Sequence, residues 1–271
     1  MDNIIEHSES DATTSYPVSE IVLQHKTEFC DVTIADSPSY GRMLFLDGEL
    51  QSAAADEHIY HEALVHPTMA RIGIGARVLV IGGGEGATVR EVLRWDPEHV
   101  DWVDIDGELV GLCQHYLGWA NVMGNPRVRY IPADIQAAIR NLSRYDAIIV
   151  DLPDPVPDPD GGYLYSDPFW LALRSHLTER GRMVTHCGPV RPFGNVGPGF
   201  QHIAGANIGF RVADFYTQTI PSFQGEWGFW MWGADAAILP YSPVVRVADR
   251  AQIRAWGTRQ LMWQTVLGGQ Q

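Results

Sequence analysis

Apolar residues along the 271-residue chain gather into short blocks separated by amphipathic segments. ARVLVIG (76–82), VDWVDID (100–106), VRYIPAD (128–134), YDAIIVDL (145–152) and GRMVTHCG (181–188) read as strands. Between them EGATVREVLRW (85–95), GELVGLCQHYL (107–117), IQAAIRNL (135–142) and DPFWLALRSHL (167–177) read as helices. That alternation predicts an α/β fold with a parallel, doubly wound sheet. Ahead of it, residues 18–35 read as strand, turn, strand, and residues 42–53 as a hairpin about Asp47-Gly48. Residues 56–71 follow as a helix with Asp56 at its N-cap and Ile59, Ala63 and Met69 on an apolar face. Pro67 is expected to bend or shorten that helix. GFWMWGA (228–234) reads as a closing strand, and a helix is expected elsewhere in 200–271. The pattern divides the chain into a disordered tail over 1–15, a small β domain over 16–55 and an α/β domain over 56–271.

Composition narrows the function. The formal net charge of −14 argues against nucleic acid, whose phosphates call for Lys and Arg. It suits a cationic small substrate, although solubility alone also explains it. No apolar run approaches the ~18 residues of a membrane span. The acidic N-terminus lacks the basic and apolar regions of a secretory signal, so the expected location is the cytoplasm. Cys30, Cys113 and Cys187 are widely spaced and form no ligand motif, so neither disulfides nor a metal are expected.

Four constellations carry candidate chemistry. In VLVIGGGEGATVREV a strand runs into Gly82-Gly83-Gly84-Glu85-Gly86 and then a helix, so a ligand can approach the backbone closely at the turn. The motif also resembles a dinucleotide fingerprint. Asp104 ends the next strand, where a carboxylate can accept both ribose hydroxyls; Asp106 is the better placed of the two to cap the helix after it. Asp134-Ile135 ends the third strand and suits adenine, the acid accepting from the exocyclic amine and the apolar side chain packing on the ring; an N-cap is the alternative reading. Asp151-Leu152-Pro153-Asp154-Pro155 follows the fourth strand. Two carboxylates at the ligand-binding edge of an open sheet suit an amine: one takes its proton and the other orients it.

These segments together resemble the polyamine aminopropyltransferases, the spermidine synthases and, more closely, their thermospermine and bacterial triamine or aminopropylagmatine synthase branch. FLDGELQSAAADEHIYHEALVHPTM, the glycine turn, VDIDGELV, DLPDP with LYSDPFW, and IPSFQGEWGFWMWGAD match the family's motifs in order from about Phe29 to Asp235. The resemblance implies a class I S-adenosylmethionine-methyltransferase-like (Rossmann-like) sheet with a small N-terminal β domain. It implies decarboxylated S-adenosylmethionine as aminopropyl donor, an amine acceptor, methylthioadenosine as leaving group and a homodimer or tetramer. Asp151 falls on the acid that deprotonates the amine. Asp154 and Tyr60 fall on amine-positioning groups, with Phe223 and Glu226 on the late substrate wall. Gln51, His61, Gly82 and Gly84 line the donor pocket, and Asp104, Asp134 and Ile135 hold the nucleoside. Glu85 falls on the acid that binds the donor's primary amine, a charge logic that favours the decarboxylated donor over one carrying a carboxylate.

Cys30 stands where the family usually has Gln, Phe223 where many spermidine synthases have Tyr, and Arg191 in a segment where short-diamine enzymes place acids. An S-adenosylmethionine-dependent N-methyltransferase or 3-amino-3-carboxypropyl transferase on the same scaffold is therefore an alternative, as is a non-catalytic nucleoside or polyamine sensor. Glu226, Trp227, Trp230 and Trp232 read either as an acidic, aromatic wall for a cationic chain or as core.

Overall fold

The computed structural model describes residues 2–7, 13–119, 121–153, 163–190 and 212–233. Strands β1 (Asp2–His7) and β2 (Thr13–Val18) pair antiparallel. β3 (Glu20–Lys26), β4 (Asp31–Ser37), β5 (Gly41–Leu46) and β6 (Glu49–Ala53) form a four-stranded antiparallel sheet. The first pair corrects the expected tail over 1–15. Acidic and hydroxyl side chains hide the pattern in the sequence, but buried Tyr16 and Val18, with Ile4 packed beside them, join a cluster with Met43, Phe45 and Leu50. The Tyr16 hydroxyl donates to the Ser222 carbonyl 206 residues away and ties this unit to the main domain.

Helix α1 (Glu57–Ile72) follows. Pro67 neither ends nor shortens it. A helix normally fills the carbonyl four residues before each residue with an N–H, which Pro lacks. Here the orphaned Ala63 carbonyl accepts the Tyr216 hydroxyl at 2.9 Å, so the helix continues. Asp56 occupies the N-cap position without a side-chain capping bond; its Oδ2 accepts from the Ser222 amide at 2.7 Å instead.

The main sheet contains β7 (Arg77–Gly82), β8 (His99–Asp104), β9 (Val128–Pro132), β10 (Tyr145–Asp151), β11 (Leu177–Val190), β12 (Val212–Ile220) and β13 (Gly225–Gly233). Their order is β12-β13-β11-β10-β7-β8-β9, with β11, β10, β7, β8 and β9 parallel and β13 antiparallel to both its neighbours, β11 and β12. α1 and α2 (Ala87–Leu93) contribute to the core on one face, and α5 (Asp167–Ser175) to that on the other. α3 (Gly107–Tyr116) joins β8 to the segment before β9. The helix expected over 135–142 divides into α4 (Ile135–Ala138) and a single 3-10 turn, Ile139–Asn141.

From β7 the chain steps outward through β8 to β9, then returns to lay β10 on the other side of β7. Such a reversal opens a crevice beyond the strands' carboxyl ends. The glycine turn ends β7 and Asp151 ends β10, so both border it. The helix expected in 200–271 lies outside the described residues. Among the described residues no helix is long and apolar enough to cross a membrane.

Candidate active site

Close backbone approach explains the glycine turn. Gly82 and Gly83 have φ of +77° and +67°, and a Cβ on Gly82 would lie 2.2 Å from the Asp151 carbonyl oxygen. The Gly83 amide donates to that carbonyl at 2.8 Å. The fully buried Trp102 of β8 donates its indole N–H to the Gly82 carbonyl at 2.8 Å. Three neighbouring strands thus hold the turn, and only glycine lets the β10 backbone come so near.

Asp151 is aimed by two hydroxyls. Tyr60 of α1 donates to Oδ1 at 2.8 Å, and Thr88 of α2 donates to Oδ2 at 2.5 Å. Each carboxylate oxygen keeps a further lone-pair direction for an incoming N–H. The Tyr60 ring meets Phe223 at 6.0 Å, His186 at 5.9 Å and Phe229 at 5.7 Å. Trp227 packs on Phe223 at 4.8 Å and stacks on His186 at 6.4 Å. Aromatic side chains therefore line one side of Asp151, where a cationic chain can rest by cation–π contact.

Strand alternation separates the other candidates for that wall. Trp230 and Trp232 stack on one another and pack on Phe215 and Trp170 on the α5 side. Glu226 is exposed and shares their alternation, opposite to Trp227. Of the four residues in the expected wall, the structure brings Trp227 to the Tyr60 cluster.

Across the crevice, Asp104 ends β8 beside the glycine turn, and a Cβ on Gly84 would lie 3.2 Å from its Oδ2. Its Oδ1 accepts the Asp106 amide at 2.9 Å. Burial, reinforced by the charges of Asp106 and Asp151, pushes its pKa up from 3.8 to about 6. Asp106 accepts from the Leu109 amide and caps α3, which leaves Asp104 facing the crevice. Asp134 accepts from the Gln136 amide as the N-cap of α4, with one oxygen engaged, and Ile135 is buried in the core beneath it.

Glu85 is 7% exposed. His61 Nε2 lies 2.6 Å from its Oε1, and the Ser52 hydroxyl donates to Oε2. His61 Nδ1 in turn lies 3.1 Å from Glu57, whose carboxylate takes two bonds from Arg90, at 2.8 and 3.1 Å. Burial alone lowers the basicity of His61, but the charge of Glu85 and bonds to Glu57 and Glu85 outweigh it and hold the imidazolium well above its usual range. A chain of alternating charge, Arg90–Glu57–His61–Glu85, runs to the glycine turn. Gln51 is the extra residue where β6 slips register against β5; its amide donates to the Glu49 carbonyl.

Glu62, His66 and Glu91 place three possible ligand atoms within 4.8 Å of one another. Arg90 lies 2.8 Å from Glu91, and Arg94 lies 3.0 Å from Glu91 and 3.6 Å from Glu62. The trio is an ion-pair network rather than an open cation site. Asp154 and Arg191 lie outside the described residues.

Sequence reasoning missed Thr88, Ser52, Glu57, Arg90 and His186. Thr88 sits inside the glycine-turn motif, and Glu57 lies four residues before His61, the spacing of one helical face. Ser52 and His186 carry no local signal.

A doubly wound sheet with a glycine turn, an acid at the end of β8 and a held carboxylate at the end of β10 defines a methyltransferase-like transferase scaffold. The spermine/spermidine synthase domain matches residues 57–241, and the spermidine synthase tetramerisation domain matches residues 4–53. The polyamine aminopropyltransferase of Synechococcus sp. strain JA-3-3Ab is 41% identical over 66% of this chain and 60% of its own length. That of Synechococcus sp. strain JA-2-3B'a(2-13) is 37% identical over 85% and 75%. A spermidine synthase solved in complex with the transition state analogue AdoDATO superposes with a TM-score of 0.85 at 21% identity, over 98% of this chain and 94% of that one, which establishes the fold. The chain belongs to the spermine/spermidine synthase family. It is a transferase of the polyamine aminopropyltransferase kind.

Proposed function

We propose that the chain moves the aminopropyl group of decarboxylated S-adenosylmethionine to an amine of a polyamine or agmatine-like acceptor, releasing methylthioadenosine. The observation that carries this reading is Asp151, fixed through both oxygens by Tyr60 and Thr88 at the topological switch point. Asp151 takes a proton from the acceptor's ammonium. The freed nitrogen attacks the carbon beside the sulfonium, the C–S bond breaks, and its electron pair returns to sulfur. Asp104 holds the ribose hydroxyls, and Asp134 with Ile135 holds the adenine. Glu85 uses two of its four lone-pair directions on His61 and Ser52, and the remaining two are available to the donor's ammonium. Asp154 orients the acceptor amine, and the aromatic wall of Tyr60, Phe223 and Trp227 supports its chain. Gln51, Gly82 and Gly84 shape the donor side. The tetramerisation-domain match over residues 4–53 supports a homo-oligomer.

Asp151→Asn is expected to retain donor binding in calorimetric titration and lose ~10²–10⁴-fold in turnover, the effect of removing a general base. Near-normal turnover would dismiss the role. The same titration with intact S-adenosylmethionine separates aminopropyl transfer from the S-adenosylmethionine-dependent alternatives: preference for the intact donor would overturn the proposal.

A further inference from the structure

Resting on that reading, we infer that His186 is a positioning residue that pins the chain immediately after the general base. His186 lies near the carboxyl end of β11 and is 6% exposed. Its Nε2 is 2.6 Å from the Leu152 carbonyl oxygen. The indole N–H of Trp227 points at its Nδ1 at 3.4 Å. A carbonyl only accepts and an indole only donates, so the two contacts together assign the donor role to Nε2 and the acceptor role to Nδ1. The ring's two sides then have fixed work. One donates to the backbone between Asp151 and Pro153, and the other accepts from the aromatic wall.

A second donor reinforces the grip. The Tyr165 hydroxyl lies 2.5 Å from the Pro153 carbonyl and 3.2 Å from that of Leu152. Tyr165 is itself held, its carbonyl accepting the Trp170 indole at 3.1 Å. Two consecutive carbonyls beyond Asp151 therefore accept from side chains of β11 and of the segment before α5. Regular strand pairing cannot supply these partners, because β10 ends at Asp151. The arrangement couples the position of the catalytic carboxylate to the acceptor's aromatic wall, since the His186 ring also meets Tyr60 at 5.9 Å. Trp227 thereby acts on Asp151 through His186.

The chain is tested with His186→Ala, His186→Gln and Trp227→Phe, by steady-state kinetics, donor calorimetry and amide exchange over peptides covering 150–153. His186→Ala is expected to lower kcat about ten- to hundredfold, the cost of a loosely held reacting group, with donor affinity unchanged and faster exchange at Leu152. Gln carries an N–H donor and a carbonyl acceptor, and is expected to recover most of the loss in both readouts. Trp227→Phe is expected to show a smaller kcat defect in the same direction, and it stands in if the Ala variant does not fold. Wild-type kcat in His186→Ala, or a Gln variant as impaired as Ala, overturns the inference. If the wild type transfers no aminopropyl group, the function proposed above fails, and exchange alone judges the clamp: unchanged exchange at Leu152 in His186→Ala rejects it.

Discussion

Replacing Asp104 with asparagine removes a carboxyl that burial, with the charges of Asp106 and Asp151, raises from 3.8 to about 6. In the native chain such a group binds its proton more tightly than in the unfolded chain. Its contribution to stability is therefore fully present below pH ~3.8 and is lost as pH rises through about 6. At pH 7.5 the unliganded protein carries the whole cost, about 3 kcal/mol. Asparagine has no charge to desolvate and keeps an Oδ1 to accept the Asp106 amide that bonds there at 2.9 Å. Asp104→Asn is thus expected to stabilise the unliganded protein at pH 7.5 by up to about 3 kcal/mol, a rise in Tm of about 6–12 °C for a domain of this size. At pH 5 the gain should shrink to about half. The same variant should bind methylthioadenosine far more weakly, because it loses the anionic acceptor proposed for the ribose hydroxyls. The assays are thermal unfolding at both pH values and calorimetric titration with methylthioadenosine. A variant no more stable than wild type at pH 7.5, or a gain independent of pH, refutes the reasoning that this carboxylate is kept at the expense of stability for the sake of a ligand.

Two further outcomes follow from the geometry. Thr88→Val preserves shape but deletes the 2.5 Å bond to Asp151 Oδ2; a bond to a charged group contributes about 1.5–3 kcal/mol, so kcat should fall about tenfold or more with donor affinity intact, and a variant at full kcat would remove Thr88 from the positioning of Asp151. Glu85→Gln takes away one of the two acids that hold the His61 imidazolium; breaking a buried pair costs about 3–5 kcal/mol, so thermal unfolding should move down and the preference for the decarboxylated donor should narrow, whereas unchanged discrimination between the two donors would free Glu85 from that role.

The parallel strands and most of their helices were legible because each is a local pattern. A buried strand is a run of apolar residues, and the glycine turn, the strand-end acids and the DLPDP loop sit at fixed offsets from such runs. The β1–β2 pair was not legible: its apolar positions are few, and its burial depends on a cluster formed with β5 and β6. Nor could local sequence foretell that α1 would pass through Pro67, because the compensating hydroxyl comes from Tyr216. The acid Asp151 and the chemistry proposed for it belong to the sequence, and so does its place at the end of β10. Its two hydroxyl partners, the His186 clamp behind it and the choice of Trp227 over Trp230 and Trp232 for the aromatic wall belong to the tertiary structure. The reason is physical. A motif records which groups a short stretch of backbone can carry, whereas hydrogen bonds between α1, α2, β10, β11 and β13 depend on how strands register and twist across the sheet, and no single segment encodes that.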